Sequence, residues 1–260
     1  MKHSLKIVLV LLVLFLLAQV IGLFITKSYL KQDLPYNIER PEIKEETSYI
    51  QFTFIIIIVT ILALIIAKLK LNTLWKVWFF LSVLIILSIS LSSFLNQYLA
   101  FLIALILTIL KIFKNNVYTH NFSELFLYGG IAAVFVPLMN LFSISMFLII
   151  ISVYDLIAVY KTKHMIALAE FQTKMKLFAG LYIPYKKKEA ILGGGDIAFP
   201  LMFAGVLLKQ FGNIAFIVPF IVTLSLFCLF LLTRKNKFYP AMPFLTIGCF
   251  IAYAVLLIFN

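Results

Sequence analysis

Ile149-Ile150-Ile151-Ser152-Val153-Tyr154-Asp155-Leu156-Ile157-Ala158-Val159 sets a carboxylate inside an apolar run, and Gly193-Gly194-Gly195-Asp196-Ile197-Ala198-Phe199-Pro200-Leu201 does so again. The third aspartate, Asp33, lies in a polar loop. An ionisable side chain at membrane depth costs at least ~2.5 kcal/mol, so both buried acids are functional-site candidates by default. Two of them in helices joined by one loop suggest a carboxylate pair suited to acid–base chemistry on water.

The surrounding chain is as apolar as these two stretches. Of its 260 residues 64% are hydrophobic, with a mean hydropathy of +1.11. Runs of about 20 apolar residues mark bilayer-spanning helices. Nine such runs predict helices over roughly 5–26, 49–67, 73–91, 94–113, 122–141, 143–160, 190–209, 212–232 and 240–259. The expected fold class is therefore an all-α, polytopic nine-transmembrane-helix bundle forming one membrane domain over 1–260. Helices one to six occupy about 1–160, a cytosolic loop 161–189, and helices seven to nine about 190–260.

The net charge of +12 is not spread as a nucleic-acid-binding surface would spread it. Lys and Arg concentrate in alternate loops. Of the 22 basic residues, only Lys27, Lys31, Arg40, Lys44 and Lys209 fall on the less basic side. This positive-inside asymmetry places the N-terminus in the cytosol and the C-terminus outside. The apolar run after Lys6 is longer than a secretory core of ~7–15 residues, and no small-x-small site follows, so it reads as a retained helix. Cys228 and Cys249 fall within predicted helices as packing residues. From His164 to Phe178, Met165, Leu168, Phe171, Met175 and Phe178 recur at near-helical spacing, which predicts an amphipathic helix in the interface. Gly180 ends it, and Leu181 to Tyr185 is strand-prone.

Asp155 lies six residues before Lys161 and Asp196 eight after Lys188, so a helical rise puts them about 9 and 12 Å deep from the same side. Neighbouring helices pack ~8–10 Å apart, so the two side chains can meet. Gly193, Gly194 and Gly195 are costly inside a helix, about 1 kcal/mol each relative to Ala. Pro200 leaves the Asp196 carbonyl without its helical partner, and Pro243 does the same for Tyr239. Such irregular backbone suits a segment that lines a water-filled cavity; the glycines also permit close packing. Other hydrolytic chemistries find no support. Gly-x-Ser and His-Glu-x-x-His are absent, the three histidines are scattered, and no phosphate-binding glycine loop occurs.

At these residues the chain resembles the presenilin and signal-peptide-peptidase group of intramembrane aspartyl proteases, most closely its compact archaeal members. The resemblance rests on Tyr154-Asp155, on Gly193-Gly194-Gly195-Asp196 for Gly-x-Gly-Asp, and on Pro240-Ala241-Met242 for Pro-Ala-Leu. The motifs stand in the family's order and span the whole chain. Met242 in place of Leu is a volume-conserving departure. The resemblance implies hydrolysis of peptide bonds within transmembrane helices by Asp155 and Asp196. It gives Tyr154, Gly193, Gly194, Gly195, Pro240, Ala241 and Met242 a role in shaping the site. It implies no metal or other cofactor, no nucleic acid and no obligatory partner subunit. The partners would be transmembrane helical substrates and the lipid bilayer, and the location a prokaryotic cell membrane. It also suggests that Leu181 to Tyr185 offers backbone groups to an unwound substrate. Two rival readings are a proton- or ion-coupled transporter or channel using the Asp pair, and a prepilin-type peptidase. The first predicts repeat symmetry between halves, which the chain lacks; the second does not require the Pro-Ala-Met segment.

Overall fold

The computed structural model describes residues 4–114, 116–162, 171–172, 175, 177–185, 188–233 and 239–259. The chain folds into helices α1 (Leu5–Tyr29), α2 (Ser48–Lys68), α3 (Asn72–Leu91), α4 (Gln97–Ile109), α5 (Val117–Phe135) and α6 (Leu141–Ile157). A hairpin of β1 (Gly180–Tyr185) and β2 (Lys188–Gly193) follows, then α7 (Gly194–Phe211), α8 (Val218–Leu232) and α9 (Met242–Phe259). Among the described residues, seven helical stretches are long and apolar enough to cross a membrane. The last of them, Gly194–Leu232, comprises α7 and α8 joined through a turn at Gly212, where φ is 67°. α9 is a shorter apolar helix. The protein is thus an all-helical, multi-pass membrane protein with one small hairpin.

α1 lies at the centre, packed against α5, α7 and α8. Its apolar residues continue around the helix, as expected for a span enclosed by others. Phe15 and Leu23 of α1, Phe147 of α6, Phe203 of α7 and Leu245 of α9 are fully buried in one cluster. A second cluster joins α3, α4 and α5 through Leu87, Ala100 and Leu127. α2 sits at the edge, with Phe54, Ile58, Ile61 and Leu62 exposed where lipid would lie.

Several boundaries differ from the expected ones. The fifth span begins at Val117, because Asn116 caps it by accepting from Tyr118 N–H. The fifth and sixth helices divide at Asn140, whose side chain accepts from Ser143 N–H at 2.8 Å. The seventh helix begins at Gly194, four residues later than the expected start, because Lys188–Gly193 is a strand. The helical rise used to place Asp196 therefore does not apply to this stretch.

Of the expected amphipathic helix, Met165 and Leu168 lie outside the described residues. Phe171 and Met175 pack against a cluster containing Trp75, Ile112 and Leu177. Those two side chains therefore meet α3 and the segment just after α4. Cys228 is exposed and Cys249 buried, both as free thiols within helices.

Candidate active site

Asp155 projects from the last turns of α6 toward the start of α9. Its Oδ2 accepts from the Met242 backbone N–H at 3.1 Å, and the Ala241 amide is also directed at the carboxyl. First-turn amides have no intrahelical acceptor, and a helix N-terminus favours negative charge, so the start of α9 is a natural seat for a carboxylate. The two helices are tied one turn away by a 2.7 Å hydrogen bond between the Ser152 and Thr246 hydroxyls. Pro240 and Ala241 precede the helix, and Ala241 and Met242 are nearly buried. Pro243 falls in the first turn of α9, where its missing N–H removes no intrahelical bond. Since Tyr239 is not helical, the expectation of a freed helical carbonyl there is corrected.

Asp196 sits in the first turn of α7, three residues after the N-cap Gly193, whose φ of −64° and ψ of 147° are extended. Its carboxyl reaches back to the Gly193 N–H, as the third residue of a capping box does. The three glycines therefore do not interrupt a helix, as expected from the sequence, but form the junction between β2 and α7. Pro200 lies inside α7, which continues through it. α6 packs on α7, and the Asp155 carboxyl lies within electrostatic reach of Asp196. Each acid is thus held at the N-terminal end of a helix, with the other as its neighbour. Two carboxyls so placed can accept and return protons across the space between them. Tyr154, beside Asp155, is partly buried.

The hairpin next to Asp196 is asymmetric. β1 and β2 pair antiparallel, Gly180 opposite Gly193 and Tyr182 opposite Ile191. The outer edge of β1 is occupied by α5. Asn121 accepts from Tyr182 N–H at 2.9 Å and donates to Tyr182 C=O at 2.7 Å. Glu124 accepts from Gly180 N–H at 3.0 Å, and His120 Nε2 lies 2.8 Å from Gly180 C=O. Pro184, which has no N–H, falls on this same edge. The sequence-based expectation that Leu181 to Tyr185 receives a substrate strand is therefore corrected: that edge is already taken. The Glu189 and Ile191 backbone groups, opposite Pro184 and Tyr182, face away from β1 on the other edge. Among the described residues they have no partner.

Three features near the site were not anticipated. Glu124 is fully buried, bonded to Lys111 and Tyr128. Gln19 of α1 is fully buried and donates from Nε2 to the Ile197 carbonyl at 2.7 Å. The Ser152–Thr246 pair is the third. An acid inside an apolar run was the available signal for Glu124, the same signal that marks Asp155 and Asp196. Among the described residues, no three His, Cys, Asp or Glu side chains converge as metal ligands.

A family model described as signal-peptide peptidase, presenilin aspartyl protease matches residues 12–260. Among curated protein sequences none matches the chain. Two solved structures of a presenilin family intramembrane aspartate protease, in C222 and P2 space groups, are similar in fold, each at 17% identity. The first has a TM-score of 0.70, covering 97% of this chain and 99% of the other. The second has a TM-score of 0.68, covering 96% and 97%.

Proposed function

For a chain that belongs to the signal-peptide peptidase and presenilin family of aspartyl proteases, we propose that Asp155 and Asp196 form one catalytic pair that hydrolyses peptide bonds within transmembrane helices. The observation that carries this reading is that the two acids, on the packed helices α6 and α7, lie within electrostatic reach of each other, each carboxyl directed at a helix N-terminus, in a chain that matches the family over residues 12–260.

Two neighbouring carboxyls resist double ionisation and hold one proton between them. The ionised member takes a proton from water as the water oxygen adds to the scissile carbonyl carbon. The neutral member gives its proton to the carbonyl oxygen, and a gem-diol forms. On collapse the C–N bond breaks, the leaving nitrogen receives a proton from one carboxyl, and a diol hydroxyl returns its proton to the other. The pair ends as it began.

A helical substrate hides its carbonyls in its own hydrogen bonds, so it must unwind first. The outward edge of β2, at Glu189 and Ile191, offers backbone donors and acceptors to such a strand just before Asp196. Tyr154, Gly193, Gly194, Gly195, Pro240, Ala241 and Met242 shape the site around the pair. The chain works as one membrane domain over 1–260 with nine crossings, the N-terminus cytosolic and the C-terminus outside. Contacts that group alternate loops support the pattern of crossings. Lys209 pairs with Glu45, and Tyr36 OH donates to Gln97 C=O, on one side of the bundle. Trp75 meets Phe171 on the other. A prokaryotic cell membrane is the proposed location, with no cofactor and no obligatory partner subunit. The transporter reading accounts for the acids but not for the family match.

The test is to mix purified protein in detergent with a panel of transmembrane substrates and identify the products by mass spectrometry. New termini within the membrane-spanning segments support the proposal. Intact substrates throughout, from protein shown to be folded, would argue against it.

A further inference from the structure

Glu124 and Lys111 form an ion pair with both side chains essentially inaccessible, in the half of the bundle beneath the hairpin. Lys111 lies just beyond α4, and its Nζ also reaches Ser123 Oγ at 3.4 Å. The other Glu124 oxygen accepts from Tyr128 OH and from Gly180 N–H. As a clamp between helices such a pair has little merit, because well-packed apolar residues of similar volume serve as well or better. An apolar pair cannot, however, supply an acceptor for the amide of Gly180.

That amide begins a short path to Asp196. Gly180 has φ of 147°, and a Cβ there would lie 2.2 Å from Leu192 C=O, so no side chain is accommodated. The carbonyl of the preceding residue, Ala179, accepts from Gly194 N–H at 3.1 Å, continuing the β ladder to the first residue of α7. Tyr128, fixed by Glu124, presses on the same residue: a Cβ on Gly194 would lie 3.2 Å from its hydroxyl. Asp196 follows two residues later. The Tyr128 hydroxyl is also within electrostatic reach of the Asp196 carboxyl.

We propose that Glu124 is a positioning residue for Asp196, holding the start of α7 through Gly180 and Tyr128 while Lys111 balances its charge. This rests on the assignment of Asp196 to the catalytic pair. The role needs an oxygen acceptor at this point, not a charge. It therefore distinguishes two double variants in which the buried charge is removed from both sides.

The experiment compares purified Lys111→Met/Glu124→Leu with Lys111→Met/Glu124→Gln. The Gln variant should unfold near the wild-type temperature; the Leu variant, which strands the Gly180 amide and the Tyr128 hydroxyl, should unfold somewhat earlier but stay folded under the assay conditions. The Leu variant should lose about tenfold or more in kcat with little change in KM, since small misplacements of reacting groups cost rate steeply. The Gln variant should recover most of it. Amide hydrogen exchange is followed in parallel at Gly180 and Gly194 to Asp196. It should quicken about tenfold or more in the Leu variant relative to the Gln variant, as local opening becomes easier. Equal kcat and equal exchange in the two variants would overturn the proposal. So would a loss of activity that merely follows loss of stability. If wild type cleaves nothing, the protease assignment fails, and the exchange comparison still decides whether Glu124 holds the start of α7.

Discussion

Replacing Gly194 by alanine sets two effects of opposite sign against each other. The added Cβ would lie 3.2 Å from Ala179 C=O, 3.2 Å from Tyr128 OH and 3.3 Å from Tyr128 Cε1. Ordinary contacts need a few tenths of an ångström more. Neither neighbour yields easily: the carbonyl is in the ladder to Gly194, and the phenol is held by Glu124. The displacement therefore passes to the start of α7 and to Asp196. If ~1 Å of misplacement costs ~100-fold in rate, a shift of ~0.3–0.5 Å corresponds to about 4- to 10-fold. Against this, Gly to Ala favours the helix by up to ~1 kcal/mol, less in the first turn. The expected variant is as stable as wild type or more so, with kcat lowered about 4- to 10-fold by the misplacement worked above. Thermal unfolding in detergent and initial rates on a cleavable transmembrane substrate measure both. Full activity would refute the claim that the junction is rigid. Activity lost only in step with stability would refute the claim that it acts by position.

Gly195→Leu should leave the protein folded but weaken binding of a transition-state-like hydroxyl inhibitor about tenfold or more by displacing the pair. Its Cβ would lie 3.0 Å from Phe199, whose ring packs edge-on against Phe147 of α6 at 5.3 Å, so the bulk is passed to the helix that carries Asp155. If unfolding explains the whole loss, Gly195 is only a packing residue. Ser152→Ala should destabilise by about 1–3 kcal/mol because it strands a buried hydroxyl, whereas Ser152→Ala/Thr246→Val should be milder. Thermal unfolding of the two variants checks this, and a double variant worse than the single contradicts it. The rate should be bell-shaped in pH. Low pH protonates both acids and leaves no base; high pH ionises both and leaves no acid. A rate that climbs steadily past neutrality would point to one base acting alone.

The two acids stand out in the sequence because a carboxylate in an apolar run is costly and calls for a role. The hairpin was half legible. Leu181 to Tyr185 reads as strand-prone, but Lys188-Glu189-Ala190-Ile191-Leu192-Gly193 reads equally as the approach to a helix. What makes it a strand is pairing with β1, whose far edge is in turn satisfied by Asn121 and Glu124 on α5. Such long-range partners leave no periodicity in the strand itself. Glu124 falls inside the expected span 122–141, but near its start and beside the polar run Tyr118-Thr119-His120-Asn121, where an acid reads as one at a helix end and not as one at depth. In the fold His120 and Asn121 belong to α5 and bond to β1. The glycines before Asp196 were read as a broken helix when they are a strand-to-helix junction; composition alone does not separate the two.

The claim on which the rest depends is that Asp155 and Asp196 act as one unit. Single-turnover cleavage of a transmembrane substrate by Asp155→Asn, Asp196→Asn and the double variant, each checked for folding, tests it directly. Groups that act together are strongly non-additive, so each single variant should be as inactive as the double. Substantial cleavage by either folded single variant would contradict the pairing.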